Sequence, residues 1–340
     1  MAYTVITTKY PPNIDVTRTP LAYGRRAIPR LNRELHDDRL LVRQRALMSL
    51  CDFLHDPEKV VEAINHGISE SLKGLLHDAD NTVRYKAVEC LCVMSGHIAG
   101  RDSFLKLESI YPLAKLFDDP SDVARKNTHL CLMRISQTPI GAECIVQAQF
   151  VETLVQKLQT ELDEIKEIIL DILHYCTAVD TDSALEAGAM EALTTLLKHH
   201  LAVVRAKAAR DIMDLSVPLA GKEKAVACGA LPLLKDMLTD TATEVRAKAA
   251  SAIMMIAITT KGKLVAIHAL SIPPLVDLVD DVNSEVRLNA IKALTCLCEA
   301  PEGRNMLLQY VDKIRKHEQD HVAVVAQAAR KTVKLINWLP

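Results

Sequence analysis

Twelve histidines and nine cysteines are the residues of this 340-residue chain best suited to hold a metal, and their spacing argues against it. The cysteines stand singly or as Cys-x-Cys, at Cys90/Cys92 and Cys296/Cys298, and no Cys-x-x-Cys occurs. On a helix, residues i and i+2 point roughly 200° apart, so neither pair closes on one ion. Their expected role is that of small buried hydrophobes with free thiols in a reducing compartment. A two-metal centre assembled from helices takes several His-Glu pairs, and only His317-Glu318 occurs. His199-His200 is the other histidine cluster. Adjacent residues of a helix splay by about 100°, which keeps such a pair from ligating together. Phosphate loops, nucleophile elbows and zinc spacings are absent from the sequence. The expectation is a chain with no catalytic, cofactor-binding or metal residue: not an enzyme, and without a small-molecule substrate.

A second set of charged residues recurs at a fixed spacing. Asp stands six residues before Arg at Asp37/Arg43, Asp78/Arg84, Asp119/Arg125, Asp240/Arg246 and Asp281/Arg287. Thr160/Lys166 and His199/Arg205 occupy the same register between them. An Asp in the loop entering a helix accepts free backbone N–H groups, and an Arg in the first turn reaches toward the Asp of the next repeat. The spacing predicts an inter-repeat ladder rather than a ligand-binding basic stripe. Its interruption at Thr160 and His199 predicts a softer joint or a change of curvature over 160–200.

The elements that carry these residues repeat. An aliphatic residue, a basic residue and then small or aliphatic residues return from Val42, Val83, Ala124, Ile165, Val204, Val245, Val286 and Val325, in steps of 41, 41, 41, 39, 41, 41 and 39. Counted from each of these, positions +4, +7, +8 and +11 are apolar or small, as in Ala249, Ala252, Ile253 and Ile256, or Ala290, Ala293, Leu294 and Leu297. This is one face of an α-helix. A second helix precedes it, as in Leu231–Leu238, behind Gly67, Gly188 or Gly229; Glu108, Gln149 and Leu270 fill that slot elsewhere. Gly100, Gly141, Gly221, Gly262 and Gly303 follow the long helix and are expected to be C-terminal helix stops. A short helix fits between the two glycine slots, so each unit reads short helix, helix, long helix. Units of about 40 residues built this way belong to the armadillo/HEAT class, where one unit cannot bury its own apolar face and stacking supplies the core. The expected fold is all-α: a right-handed superhelical solenoid of about eight repeats of 39–41 residues over 21–340, behind an extended Pro-containing arm over 1–20. The first helical segment, about Leu21–Leu35, and the atypical last unit, with Ala326 in the basic position, would cap its ends.

Composition narrows the function. Hydrophobic residues make up 49% and aromatics only 4%, which suits thin layers of closely packed helices. Lys and Arg (41) balance Asp and Glu (43), so a nucleic-acid partner is not expected. The longest apolar stretch, Ala252–Ile258, falls far short of the roughly 20 residues that span a bilayer, and no secretory signal is visible. The expectation is a soluble intracellular protein that binds other proteins.

Several phrases lie outside the solenoid pattern. They are Pro11-Pro12-Asn13-Ile14-Asp15, Ala22-Tyr23-Gly24-Arg25-Arg26-Ala27, Leu31-Asn32-Arg33-Glu34-Leu35, Leu50 through Glu58 (LCDFLHDPE), Glu167 through Asp171 and Glu299 through Arg304. In these the chain resembles the radial spoke head 14 homologue family of armadillo-repeat proteins. That resemblance implies a structural subunit of the radial spokes of motile cilia and sperm flagella. It implies other radial spoke proteins as partners and a place in the cytoskeleton of the ciliary axoneme within the cytoplasm. A soluble armadillo-type adaptor for trafficking or signalling is the alternative that the fold alone allows.

With +4, +7, +8 and +11 buried, positions +3, +6 and +10 of the long helices are free to line a concave groove. In the middle of the chain they are Asn127, Leu130, Arg134; Ile168, Asp171, Tyr175; and Lys207, Arg210, Asp214. The repeated Asn at +10 and Trp at +6 of nuclear-import armadillo proteins are missing, which disfavours that role. Exposed apolar residues at Leu130, Ile168 and Tyr175 with a charged rim would suit a helical or extended segment of a partner.

Overall fold

The structure is a computed structural model, and it describes residues 27–338. The expected arm at 1–20, the start of the first helical segment and the final Leu339-Pro340 lie outside the described residues. Every regular element among the described residues is helical, from Ala27–Leu35 to Ala323–Ile336. The fold is an armadillo/HEAT-type α-solenoid. A boundary between Ala148 and Gln149 separates two compact units.

In the first unit the long helices are Leu40–Phe53, Asn81–Ser95 and Asp122–Ser136, each packed on the next. In the second they are Asp163–Thr177, Ala202–Leu215, Thr243–Ile256, Ser284–Leu297 and Ala323–Ile336, again packed in succession. The apolar face explains the order. Ala290, Ala293, Leu294 and Leu297 are fully buried, as are Ala249, Ala252, Ile253 and Ile256. Each buried Leu or Ile removes enough apolar surface from water to contribute about 1.5–3 kcal/mol. The alanines at +4 and +7 let neighbouring backbones approach closely. No described helix is long and apolar enough to cross a membrane.

Two corners turn the chain within each repeat. The first lies between the short helix and the second helix. Gly67, Gly188 and Gly229 stand there with φ of 74°, 79° and 71°; Glu108, Gln149 and Leu270 hold the same left-handed conformation at 50°, 61° and 59°. The corner geometry is therefore set by the repeat, and three side chains tolerate a conformation that costs a non-glycine residue roughly 1–2 kcal/mol. Leu270 is also largely exposed, so its side chain offers little in return. Leu270→Gly is expected to raise stability by about 0.5–1 kcal/mol, the relieved strain exceeding the extra entropy of glycine in the unfolded chain; urea titration measures it.

The second corner corrects an expectation. Gly100, Gly141, Gly221, Gly262 and Gly303 do not end the long helices. They are the third residue of the short helices, such as Leu219–Ala227 and Thr260–His268, or Pro301–Leu308. A Cβ at these five positions would lie 1.7–2.2 Å from a carbonyl oxygen near the end of the preceding long helix: that of Met94, Ile135, Leu215, Ile256 or Leu297. Glycine is required by the close approach of two backbones, not by a left-handed turn.

Candidate functional site

Six residues on the loops and first turns of the long helices build the inter-repeat rungs in the second unit. Arg205 pairs with Asp240 at 2.6 Å, Arg246 with Asp281 at 2.7 Å and Arg287 with Asp320 at 2.8 Å. In the first unit Arg43 pairs with Asp78 at 3.0 Å and Arg84 with Asp119 at 2.7 Å. Each rung joins the Arg of one repeat to the Asp of the following one. The same Arg turns its Nη1 back onto carbonyls of its own entry loop, as Arg84 does to Asp78 and Ala79, both at 3.0 Å. Arg125 donates likewise to the Asp119 carbonyl at 2.9 Å. Each Asp also accepts the backbone N–H two residues on: Asp80 onto Asp78, Ser121 onto Asp119, Ala242 onto Asp240, Asn283 onto Asp281 and Val322 onto Asp320. One guanidinium and one carboxylate thus fix two loops and the spacing between two repeats. Asp37, at the start, meets instead the exposed Arg39 of its own loop at 3.0 Å. Arg205 and Asp320 are rung residues absent from the sequence expectation.

These contacts shift two carboxyls. Burial pushes Asp119 up, but the Arg84 hydrogen bond, the Ser121 amide and the charges of Arg84 and Arg125 outweigh it, and the net movement is downward. Arg287 holds Asp320 well below the usual carboxylate range against the opposing effect of burial, helped by the Val322 amide and His317. A carboxyl whose folded pKa is depressed adds stability that is complete above its unfolded value, about 3.9, and lost as pH falls through the folded value. Acid unfolding followed by circular dichroism should therefore steepen below about pH 4, and Asp320→Asn should flatten that limb.

Where the Asp–Arg register is interrupted, the rung is inverted. His199, in the Asp register, turns its Nε2 onto Asp163 at 3.1 Å, and His200 Nε2 lies 3.4 Å from the other oxygen of the same carboxylate. Lys166 approaches it at 3.5 Å. His199 and His200 lie in a loop between helices, not on a helix. The expected splay of about 100° does not hold there, and their rings stand 4.4 Å apart at 32°.

The nine residues expected to line a central groove are all half-buried, Leu130, Ile168 and Tyr175 among them. In the first unit Arg134 donates to the Cys92 carbonyl of the neighbouring long helix; Asn127 and Leu130 share its helix. In the second unit the charged members bind one another. Lys207 meets Asp171 at 2.7 Å and Glu167 at 2.9 Å, and Arg210 meets Asp171 at 3.0 Å. Asp214 meets His174 Nδ1 at 2.7 Å. Beside them Asp211 is fully buried. One of its oxygens accepts from Arg210 Nε at 2.8 Å, and the other has no hydrogen-bond partner. Burial pushes the Asp211 carboxyl up to about 7, the Arg210 charge only partly offsetting it. A raised carboxyl destabilises the fold as pH climbs from the unfolded to the folded pKa, here from about 4 to 7. Asp211→Asn should remove that decline from a pH series of urea midpoints.

One open concavity with an apolar floor lies near the end of the second unit. Met254, Leu288, Cys296 and Val324 line a groove of about 550 Å³ edged by the exposed Lys292 and Lys331. The nine cysteines are free, six of them buried. Burial raises the Cys92 and Cys176 thiols to about 11 and about 12, which keeps them protonated and unreactive.

Comparison with known proteins supports a repeat protein. Residues 59–214 match the family described as non-SMC mitotic condensation complex subunit 1, and residues 272–300 match the HEAT repeat. The chain is 27% identical to radial spoke protein 14 of Chlamydomonas reinhardtii over 127 residues, 37% of this chain and 32% of that protein. It therefore spans about a third of the length of the curated relative it matches. A crystal structure of an engineered protein superposes with a TM-score of 0.85 at 23% identity, covering 91% of this chain and 78% of that one. A second engineered protein gives 0.64 at 24% identity, covering 67% and 96%. At these identities the structural likeness concerns the fold alone.

Proposed function

We propose that the chain is a non-catalytic scaffold subunit of the axonemal radial spoke, binding other spoke proteins and supporting ciliary and flagellar motility. The observation that carries this reading is the 127-residue similarity to the Chlamydomonas radial spoke protein 14. The fold agrees with it. Within each unit, a stack of helix pairs fixed by buried ion pairs offers a stiff surface and concentrates its polar chemistry on holding itself together. The free concavity at Met254, Leu288 and Val324, edged by Lys292 and Lys331, suits an apolar segment with flanking acidic residues from a neighbouring subunit.

A spoke subunit stays with demembranated axonemes through moderate-salt extraction, whereas a soluble adaptor washes out. Retention of the tagged chain is the expected result, and its appearance in the first low-salt supernatant would overturn the reading. Lys292→Glu with Lys331→Glu should lower retention by about tenfold, the equivalent of roughly 1.4 kcal/mol, with an unchanged melting curve.

A further inference from the structure

Asp211 is out of place for a structural residue. It stands at +7 of the long helix Ala202–Leu215, facing the core. The same position holds Ser49, Cys90, Cys131, Ile172, Ala252, Ala293 or Thr332 in the other long helices whose +7 residue is described as buried. All of these are small or apolar, and Asp211 alone among them brings a carboxylate. Its fully buried side chain has one oxygen on Arg210 and the other without a hydrogen-bond partner. A buried polar atom left unpaired in a folded protein calls for an explanation, and a bound ion is one that also uses its neighbours.

Asp214 lies one turn further along the same helix. His174 comes from the preceding long helix, Asp163–Thr177, forty residues back and one repeat away. One ligand atom each from His174, Asp211 and Asp214 lies within 4.8 Å of the others. The surroundings are rich in carboxylates. Glu167, Asp171, Asp211 and Asp214 face Lys207 and Arg210, four acids against two bases.

We propose that His174, Asp211 and Asp214 form a binding site for a zinc-like divalent cation that pins together the long helices of two adjacent repeats. An imidazole with two carboxylates is the nitrogen–oxygen donor set that borderline first-row cations take. Such an ion sits about 2.0–2.2 Å from each ligand, which places tetrahedral ligands roughly 3.3–3.6 Å apart. Closing the cluster from within 4.8 Å to that spacing asks for side-chain rotations alone, the ion replacing the proton of the hydrogen bond between His174 Nδ1 and Asp214. The side chains of His174 and Asp214 are 36% and 20% exposed, which leaves a way in and room for water as a fourth ligand.

The neighbouring cluster of Asp163, His199 and His200 is less suited. Nδ1 of His199 accepts the Leu201 N–H at 3.2 Å. The ring proton therefore sits on Nε2, where it is donated to Asp163, and Nε2 has no lone pair to offer an ion. That cluster serves as a control.

The full chain, stripped with a chelator and dialysed, is titrated with zinc by calorimetry and with cobalt by absorption. One equivalent of zinc should bind. Affinity should fall by at least about tenfold in His174→Ala and in Asp211→Ala and stay unchanged in His200→Ala, with cobalt d–d bands and no thiolate charge transfer. Asp211→Ala installs the residue that two other repeats carry at this position. His174 is partly exposed and its replacement tests the site should the core variant fail to fold. Full-affinity binding in His174→Ala, loss in His200→Ala, a cobalt–thiolate band, or no binding at micromolar zinc each overturns the proposal.

Discussion

Arg287→Ala destabilises the second unit by about 3–5 kcal/mol, the cost of breaking a buried ion pair from one side. Arg287 and Asp320 form the most enclosed rung, with side chains 7% and 4% exposed. The guanidinium places Nε and Nη2 on the two oxygens of Asp320 at 2.8 and 3.0 Å, and Nη1 on the carbonyls of Asp281 and Val282 at 2.9 and 3.1 Å. Alanine leaves a buried carboxylate with little beyond the Val322 amide and His317, and two loop carbonyls without their donor. Arg287→Lys keeps the charge but not the fork, so it should recover only part of the loss. In a double-mutant cycle the Ala/Ala variant should cost clearly less than the sum of the single ones. Arg39 against Asp37 is the contrast: that pair is exposed and within one loop, and its removal should leave the urea midpoint where it was. A loss below about 1 kcal/mol for Arg287→Ala, the range of surface pairs, would remove the rungs from the account of stability.

Gly221→Ala is the second large effect, expected at about 3 kcal/mol. The added Cβ would lie 1.7 Å from the Leu215 carbonyl oxygen, against backbone atoms of Leu215 and Ser216, so no side-chain rotation relieves it. The short helix Leu219–Ala227 must then move off the end of Ala202–Leu215. Gly74→Ala is the matched control. It sits in the helix Ile68–Leu75, where an added methyl would meet nothing within 4 Å, and should stabilise by about 0.5–1 kcal/mol through the unfolded chain. Opposite signs for the two substitutions in urea titration are the expected result; equal effects would mean that the close approach at Gly221 relaxes freely.

The repeat is legible in the sequence because period and helical face are one-dimensional signals. A step of 41 residues and apolar positions at +4, +7, +8 and +11 survive without knowledge of the third dimension, and they locate every long helix. The slot shared by Gly67 and Leu270 is legible for the same reason: position in the repeat identifies it even where the residue type is wrong for a left-handed turn. Gly100 and its equivalents mislead because a helix stop and a backbone contact both place glycine between helices, and only the distance to a neighbouring carbonyl separates them.

Pairing across one repeat is legible in the sequence, but two of its members are not. Matching Asp and Arg within the same unit hides Arg205, whose own unit has His199 in the acidic slot, and Asp320, whose unit has Ala326 in the basic one. Both find partners in the adjoining repeat. The same displacement hides the histidine–carboxylate cluster, since His174 and Asp214 meet only when forty residues of chain close one turn of the stack. It also bears on the expected groove. Of the +3, +6 and +10 stripe expected to face a partner, Asp171, Lys207, Arg210 and Asp214 also reach across to neighbouring helices, contacts that the stripe alone does not reveal.

Cross-linking mass spectrometry on intact axonemes carrying the tagged chain tests the central claim most directly. The account predicts cross-links from Lys292 and Lys331 to acidic segments of radial spoke proteins, lost when both lysines are replaced. Cross-links confined to soluble proteins, with none to a spoke subunit, would contradict it.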